Sequence, residues 1–243
     1  MAQKQNYLLE KVVSVIGADK GRGKVLDLGC GDGRTGKKLL DKGFQVHACD
    51  MDVKRFEFKD VIPFKAGNLN NPLPYADGSF DYVILMEVIE HVYNPQHVIS
   101  EIKRILRPGG KLILSTPNIL NISSRFRFLI EGSFDFFREP TLDYAKCFPA
   151  ALQNMHVIPW RYQELEYLFY QCGLEITNFH VDRRKNNFLP LVILMWPALF
   201  LSTKSREMRT RKTKSVDFAR MNAILLSFDM LLGKHLIVEG LRK

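Results

Sequence analysis

Hydrophobic positions fall in two rhythms along the 243 residues of the chain. Short apolar runs at 24–28, 44–49, 61–66, 80–86 and 111–115 read as strands, and amphipathic stretches near 34–42 and 95–106 read as helices between some of them. Such alternation predicts an α/β fold with parallel strands joined by crossover helices. Arg107-Pro108-Gly109-Gly110 has the composition of a helix stop followed by a tight turn. Residues 71–79 are too short and proline-rich for a crossover helix, so the third and fourth strands should be joined by a loop. A helix over 160–171 ends at Gly173 and feeds a sixth strand over 174–182, and a seventh at 236–241 closes the sheet.

Two stretches break the rhythm. Residues 117–155 carry many aromatics without a clean period, which suggests a lid over a pocket. Residues 188–201 are almost wholly apolar but hold Pro190 and Pro197, and a basic run from Lys204 to Lys214 follows. An apolar anchor ahead of a basic run is the order of a membrane-surface element, and 188–214 is its expected extent. A buried hairpin followed by a solvated charged loop fits the same composition. These features divide one domain into a core (1–118), an aromatic lid (119–155), a helix with the sixth strand (156–182), an apolar and basic insertion (183–233) and the last strand (234–243).

Composition narrows the setting. A hydrophobic content of 46% is enough to bury a full core. The first ten residues lack the apolar centre of a secretory signal, and no stretch reaches the roughly 18–20 apolar residues of a spanning helix. The expected location is cytoplasmic, peripheral at the inner membrane face if the insertion meets lipid. Cys30, Cys49, Cys147 and Cys172 form no CxxC pair, so reduced thiols are expected. The net charge of +9 collects in Arg183-Arg184-Lys185 and in 204–214, away from the glycine-rich loop.

That loop, Asp27-Leu28-Gly29-Cys30-Gly31-Asp32-Gly33, directly follows the first strand and precedes a helix. Glycines there let the chain turn sharply and let a ligand approach the backbone. Residues 31–36 also satisfy GxGxxG spacing, with Asp50 about 20 residues on, so an NAD-dependent oxidoreductase competes. Asp27 and Asp32 would repel a pyrophosphate and suit a cationic ligand, such as a sulfonium with an ammonium group. Asp50, at the end of the second strand, is placed to accept both hydroxyls of a ribose, or to cap the short helix expected after it.

Together with Pro72-Leu73-Pro74-Tyr75-Ala76-Asp77-Gly78-Ser79-Phe80-Asp81, Glu87-Val88-Ile89-Glu90-His91 and Leu106-Arg107-Pro108-Gly109-Gly110-Lys111-Leu112, these residues resemble the class I S-adenosylmethionine-dependent methyltransferases. The similarity covers about 24–118 and is to the subgroup that includes ubiquinone and menaquinone biosynthesis methylases. It implies a Rossmann-like, doubly wound, seven-stranded sheet, mostly parallel with an antiparallel last strand. It also implies Asp27 near the methionine amino group, the backbone of Gly29, Cys30, Gly31 and Gly33 against the methionine moiety, and Asp50 on the ribose. Met51 would cover the adenine, Asn68 and Leu69 would meet its edge, and Met86 and Glu87 would line the side of the cleft facing the methyl group. The family pattern has Asp where Asn68 stands; an amide oxygen can accept the same hydrogen bond.

Methyl transfer from a sulfonium is an in-line displacement, and a hydroxyl acceptor gains from a base. His156, between the aromatic segment and the helix at 160–171, is the candidate, with Glu139, Asp143 and Tyr144 behind it. Glu87, Glu90, His91 and His97 show no HExxH-type spacing, so no metal is expected, and His91 and His97 read as cap or surface residues. Met86-Glu87-Val88 stands where base-amine methylases of this class have Pro-Pro-Tyr or Pro-Pro-Phe, which disfavours nucleic acid, although RNA methylation stays a competing reading. The favoured reaction is O-methylation of a small or lipid-linked acceptor, a quinone precursor or a lipid-carried glycan, with S-adenosylmethionine as cofactor.

Overall fold

A computed structural model describes residues 6–18, 23–137, 156, 158–210 and 218–243. Seven strands form one sheet: β1 (Lys24–Leu28), β2 (Gln45–Asp50), β3 (Phe64–Ala66), β4 (Phe80–Met86), β5 (Leu106–Pro117), β6 (Leu174–Val181) and β7 (His235–Arg242). Their order is β3-β2-β1-β4-β5-β7-β6, and β7 runs antiparallel to both neighbours while the other pairs are parallel. The Rossmann-like sheet with an antiparallel last strand is thus present. The chain reverses direction across the sheet between β1 and β4, so the carboxyl ends of these strands flank a crevice, the usual ligand position in such sheets.

Apolar side chains cover both faces. Beneath one lie α3 (Pro95–Ile105) and α5 (Tyr162–Gln171), with Leu26, Leu85, Ile99, Leu165 and Phe169 in a single buried cluster. Beneath the other lie α1 (Tyr7–Gly17) and α2 (Arg34–Asp41), with Val12, Ile16, Leu39, Val46 and Ile84 packed together. The sequence reading passed over α1. Its buried Leu8, Leu9, Val12, Val13 and Ile16 nevertheless follow helical spacing, and the Asn6 side chain caps it by accepting from the Leu9 N–H at 3.2 Å.

Other expectations need correction. The third strand begins at Phe64 instead of residue 61: Ile62 is buried in a turn closed by its N–H on the Phe58 carbonyl, and pairing with β2 starts once the Pro63 carbonyl accepts from Ala48. The helix stop expected at 107–110 is present, since α3 ends at Ile105, but the chain enters β5 at once: Leu106 pairs with Phe80, and the register shifts before Lys111 meets Tyr82. The aromatic segment is not irregular throughout. Asn121 caps α4 (Ile122–Glu131) by accepting from the Ser124 N–H at 2.9 Å, and Gly132 ends it in the left-handed region. The rest of that segment, 138–155, lies outside the described residues, as do Glu139, Asp143, Tyr144 and Cys147. The other three cysteines are free thiols.

The insertion departs furthest from expectation. It contains one 22-residue helix, α6 (Leu189–Thr210), in place of a hairpin, followed by α7 (Phe218–Leu225) and α8 (Phe228–Leu232). Pro190 lies in its first turn, where the missing N–H costs nothing, and Pro197 lies inside. Residues 186–205 have the length and apolar content of a membrane-crossing helix, contrary to the expectation that no stretch would.

Candidate functional site

The glycine loop is held from behind by β2. Gly29 and Cys30 both direct their N–H groups at the Cys49 carbonyl, at 2.8 and 3.3 Å. The three glycines then have different duties. A Cβ at Gly29 would lie 2.6 Å from Val88, and one at Gly33 only 2.3 Å from the Phe56 ring, so these two admit protein, not ligand. Gly31 instead faces outward, where the nearest atoms to a Cβ belong to the Arg55 guanidinium, 3.7 Å away. Close ligand approach is therefore available at Gly31. The Cys30 thiol is pushed up well beyond its usual range by burial and by the charges of Asp27 and Asp50, which fits a packing role.

Asp50 ties the loop to the strand end. One carboxylate oxygen accepts from the Gly31 N–H at 2.8 Å and the other from the Asp52 N–H at 2.8 Å. Residues 53–55, where a short helix was expected, form a turn in which the Lys54 N–H donates to the Asp52 side chain at 3.0 Å and the Arg55 N–H to the Asp52 carbonyl at 3.4 Å. Each Asp50 oxygen keeps a lone pair for a hydroxyl. Next to it, Met51 is 68% exposed and has room to lie over a flat ring. Asn68 accepts from the Asn70 N–H at 2.9 Å, which leaves one lone pair of the amide oxygen, and Leu69 packs half-buried on the core.

The expected cation attraction takes a different form from a loop carrying two free carboxylates. Asp32 is engaged by Arg34 at 2.6 Å. Asp27 is buried beneath the loop and accepts from the Gly36 N–H at 3.0 Å in the first turn of α2. Burial, with help from the charges of Asp50 and Asp32, raises its pKa to about 7. A carboxyl so reluctant to ionise would gain from a nearby ammonium, whereas Asp32 already has its partner.

Across the crevice, β4 ends in Met86 and Glu87, both half-buried. Glu87 takes a left-handed backbone (φ 55°), and its carboxylate accepts from the Ser115 hydroxyl at 2.9 Å. Its other oxygen lies 3.7 Å from Nε2 of His235, whose Nδ1 is 2.9 Å from Asp182. Burial raises the Asp182 carboxyl, but hydrogen bonds and charge from His235 more than offset this and hold it low. Glu87 is raised to about 7 by burial and by the charge of Glu90.

Glu90 follows in a 3-10 turn (Ile89–His91) and is wholly buried. Neither of its carboxyl oxygens has a hydrogen-bond partner among the described residues, nor does the Thr116 hydroxyl. Burial raises its pKa to about 7, and the Thr116 hydroxyl nearby pulls the other way without reaching hydrogen-bond geometry. His156 brings Nε2 to 4.0 Å from Glu90, and its ring lies 4.8 Å from that of His91. Two bonds hold this segment on the turn: the Ile158 N–H donates to the Glu90 carbonyl at 3.1 Å, and the Trp160 indole N–H to the Ile89 carbonyl at 3.3 Å. Burial, then the charge of His91, lowers the His156 pKa and favours the neutral imidazole.

Of the four groups first considered as metal ligands, His97 lies outside the cluster, its Nε2 buried without a hydrogen-bond partner among the described residues. Glu90 and His91 instead meet His156, with ligating atoms all within 4.8 Å of one another, a set able to hold a cation. His91 is therefore a cleft residue, neither cap nor surface. Sequence reasoning missed Thr116, Asp182 and His235 and set Glu90 aside. For Glu90 there was a signal: a second carboxylate in the otherwise apolar run Met86-Glu87-Val88-Ile89-Glu90. For the others no local signal exists, since only the sheet brings them together.

The family model described as a methyltransferase domain matches residues 26–114. A ubiquinone biosynthesis O-methyltransferase from Xanthomonas oryzae pv. oryzae is 37% identical over 103 residues, which cover 39% of this chain and 43% of that protein. One from Vibrio campbellii is 32% identical over 162 residues, 62% of this chain and 66% of that protein. The matched stretch is thus less than half the length of the first relative. A solved structure of a SAM-dependent methyltransferase from Archaeoglobus fulgidus has the same fold, with a TM-score of 0.60 at 13% identity, covering 96% of this chain and 92% of that one.

Proposed function

We propose that this chain, which carries a class I S-adenosylmethionine-dependent methyltransferase domain, O-methylates a small or lipid-linked acceptor, a quinone precursor or a lipid-carried glycan. The observation that carries this reading is the Glu90 carboxyl, wholly buried and unpartnered among the described residues, 4.0 Å from a half-buried His156. Buried polar groups left without partners are costly and mark places where a ligand completes the bonding. Two carboxyls and an imidazole at the end of β4 suit removal of a proton from an acceptor hydroxyl.

S-adenosylmethionine, when bound, supplies an electrophilic methyl on sulfur. Asp50 would receive its ribose hydroxyls, Asp27 would face its ammonium, and the Gly31 backbone would lie along its methionine part. Met51, Asn68 and Leu69 would frame the adenine, and Met86 and Glu87 would lie beside the methyl. Neutral His156 would accept the proton of the acceptor's hydroxyl, leaving its oxygen the nucleophile. Glu90 stabilises the resulting imidazolium, and the apolar surroundings exclude water. The exposed apolar α6 and the basic residues after it would hold the enzyme against a membrane surface, where such acceptors reside.

The test is mass spectrometry of lipid and glycan extracts from cells with and without the protein. A species one methylene heavier in the cells that have it is expected, and identical extracts would sink the reading. Titration with S-adenosylmethionine and with NAD checks the cofactor separately: tight binding of the first alone is expected.

A further inference from the structure

Beside the cleft, α6 meets the body of the protein in an unusual way. Phe188, Leu191, Val192, Met195 and Leu199 turn inward onto Ile122 of α4 and Leu231 and Leu232 of α8. The opposite side remains apolar and outward, with Leu194 77% and Leu201 66% exposed and Ile193 and Phe200 beside them. Against the second half of this helix lies a cavity of about 230 Å³, lined by Leu199, Ser202 and Thr203 of α6 together with Arg125, Gln163 and Leu225.

Its polar groups are poised for something absent from the chain itself. The half-buried Arg125 guanidinium makes no hydrogen bond or ion pair among the described residues, whereas neighbouring Arg161 is held by Glu164. The Gln163 carbonyl oxygen is buried with no partner. Burial alone pulls the Arg125 pKa down, with no anion opposing it. Leaving a desolvated guanidinium uncompensated is expensive, and a planar five-donor fork is the side chain best matched to phosphate oxygens.

We propose that this cavity is a phospholipid site: Arg125 binds the phosphodiester of a membrane phospholipid, Ser202, Thr203 and Gln163 meet the polar headgroup, and the acyl chains run out along the exposed face of α6. The choice of a phospholipid over a free anion rests on the membrane-surface reading of α6. A lining that combines leucines with an unpaired cation matches an amphiphile better than an inorganic ion. The +9 net charge of the chain further favours an anionic lipid.

Dihexanoyl-phosphatidylglycerol, kept below its micelle concentration, tests this without a bilayer. Calorimetric titration into the full chain is expected to show binding at least about tenfold tighter than either inorganic phosphate or dihexanoylglycerol. Arg125→Gln should weaken it by about tenfold or more, the loss expected on removing a charge-assisted contact, and Arg125→Lys should recover part. Without ligand, Arg125→Gln should melt no lower than wild type, because an unpaired, half-buried charge has been removed. Absence of binding, equal affinity in wild type and Arg125→Gln, or phosphate binding as tightly as the phospholipid would overturn the proposal. Pelleting of wild type and Leu194→Glu with phosphatidylglycerol vesicles reads the membrane contact separately. Loss of pelleting in Leu194→Glu with soluble-lipid binding intact supports both, and equal pelleting of the two forms ends the membrane reading alone.

Discussion

The two sides of the crevice are built on opposite plans. On the β1–β2 side each carboxylate that the fold places near the glycine loop is already held by the chain itself: Asp27 by the Gly36 N–H, Asp50 by the Gly31 and Asp52 N–H groups, Asp32 by Arg34. On the β4–β5 side Glu90, Thr116 and the His156 Nδ1 are buried with no partner among the described residues. The first plan gives a receptor already shaped before its ligand arrives, which lowers the cost of binding. In the proposed reaction the second would leave polar groups free until an acceptor comes, and it sets an imidazole lowered by burial beside two carboxyls raised by it.

If the division is real, damage to the two sides should separate kinetically. The largest effect belongs to the open side. His156→Ala should lower turnover by about 10²- to 10⁴-fold, the usual contribution of a positioned base, with S-adenosylmethionine affinity unchanged. Methyl release at saturating donor, alongside calorimetry, checks it, and wild-type turnover would return His156 to a structural role. Glu90→Gln should share the loss in turnover and shift the pH–rate profile, because it removes one of two carboxyls that titrate near 7. A profile that does not move would argue against Glu90. On the closed side, Asp50→Ala should weaken S-adenosylmethionine binding by about 1.5–3 kcal/mol, the worth of hydrogen bonds to a charged group. Turnover at saturating donor should change far less. Unchanged affinity would remove Asp50 from the site.

The same division explains what could be read from the sequence. Asp27, the three glycines and Asp50 lie within 24 positions of one another on two adjacent strands, so their spacing alone displays the loop and its strand-end carboxylate. The open side draws on residues 87, 90, 116, 156, 182 and 235; the neighbouring strands β4, β5, β7 and β6 bring all but residue 156 together. His156 stood out by its place after the aromatic segment, but its partner did not, because contact with Glu90 depends on the bonds from Ile158 and Trp160. In α6, apolar residues on both sides hid the helical period and made a hairpin equally consistent. The contrast between the inward Leu191, Met195 and Leu199 and the outward Leu194 and Leu201 emerges once the helix is placed on the body.

A smaller effect should appear in the ligand-free protein, and its sign follows from burial. Asp27, Glu87 and Glu90 ordinarily lose their protons near 3.8 to 4.5, yet in the fold all three hold them to about 7. Between those limits the folded chain binds more protons than the unfolded one. Stability contributed by the protonated carboxyls is therefore complete below about pH 4 and is lost as pH rises through 7. Each tenfold gain in proton affinity is worth about 1.4 kcal/mol, so a loss of at least that size should show in urea unfolding between pH 5 and pH 8. Glu90→Gln should flatten the slope, since an amide cannot ionise. Asp27→Asn should flatten it too, while keeping an acceptor oxygen for the Gly36 N–H. Saturating S-adenosylmethionine should remove the Asp27 share and reduce that of Glu87, because an ammonium beside the first carboxylate and a sulfonium near the second favour their ionised forms, leaving the share of Glu90 intact. If the ligand flattens the whole slope, the two sides are coupled and the division fails.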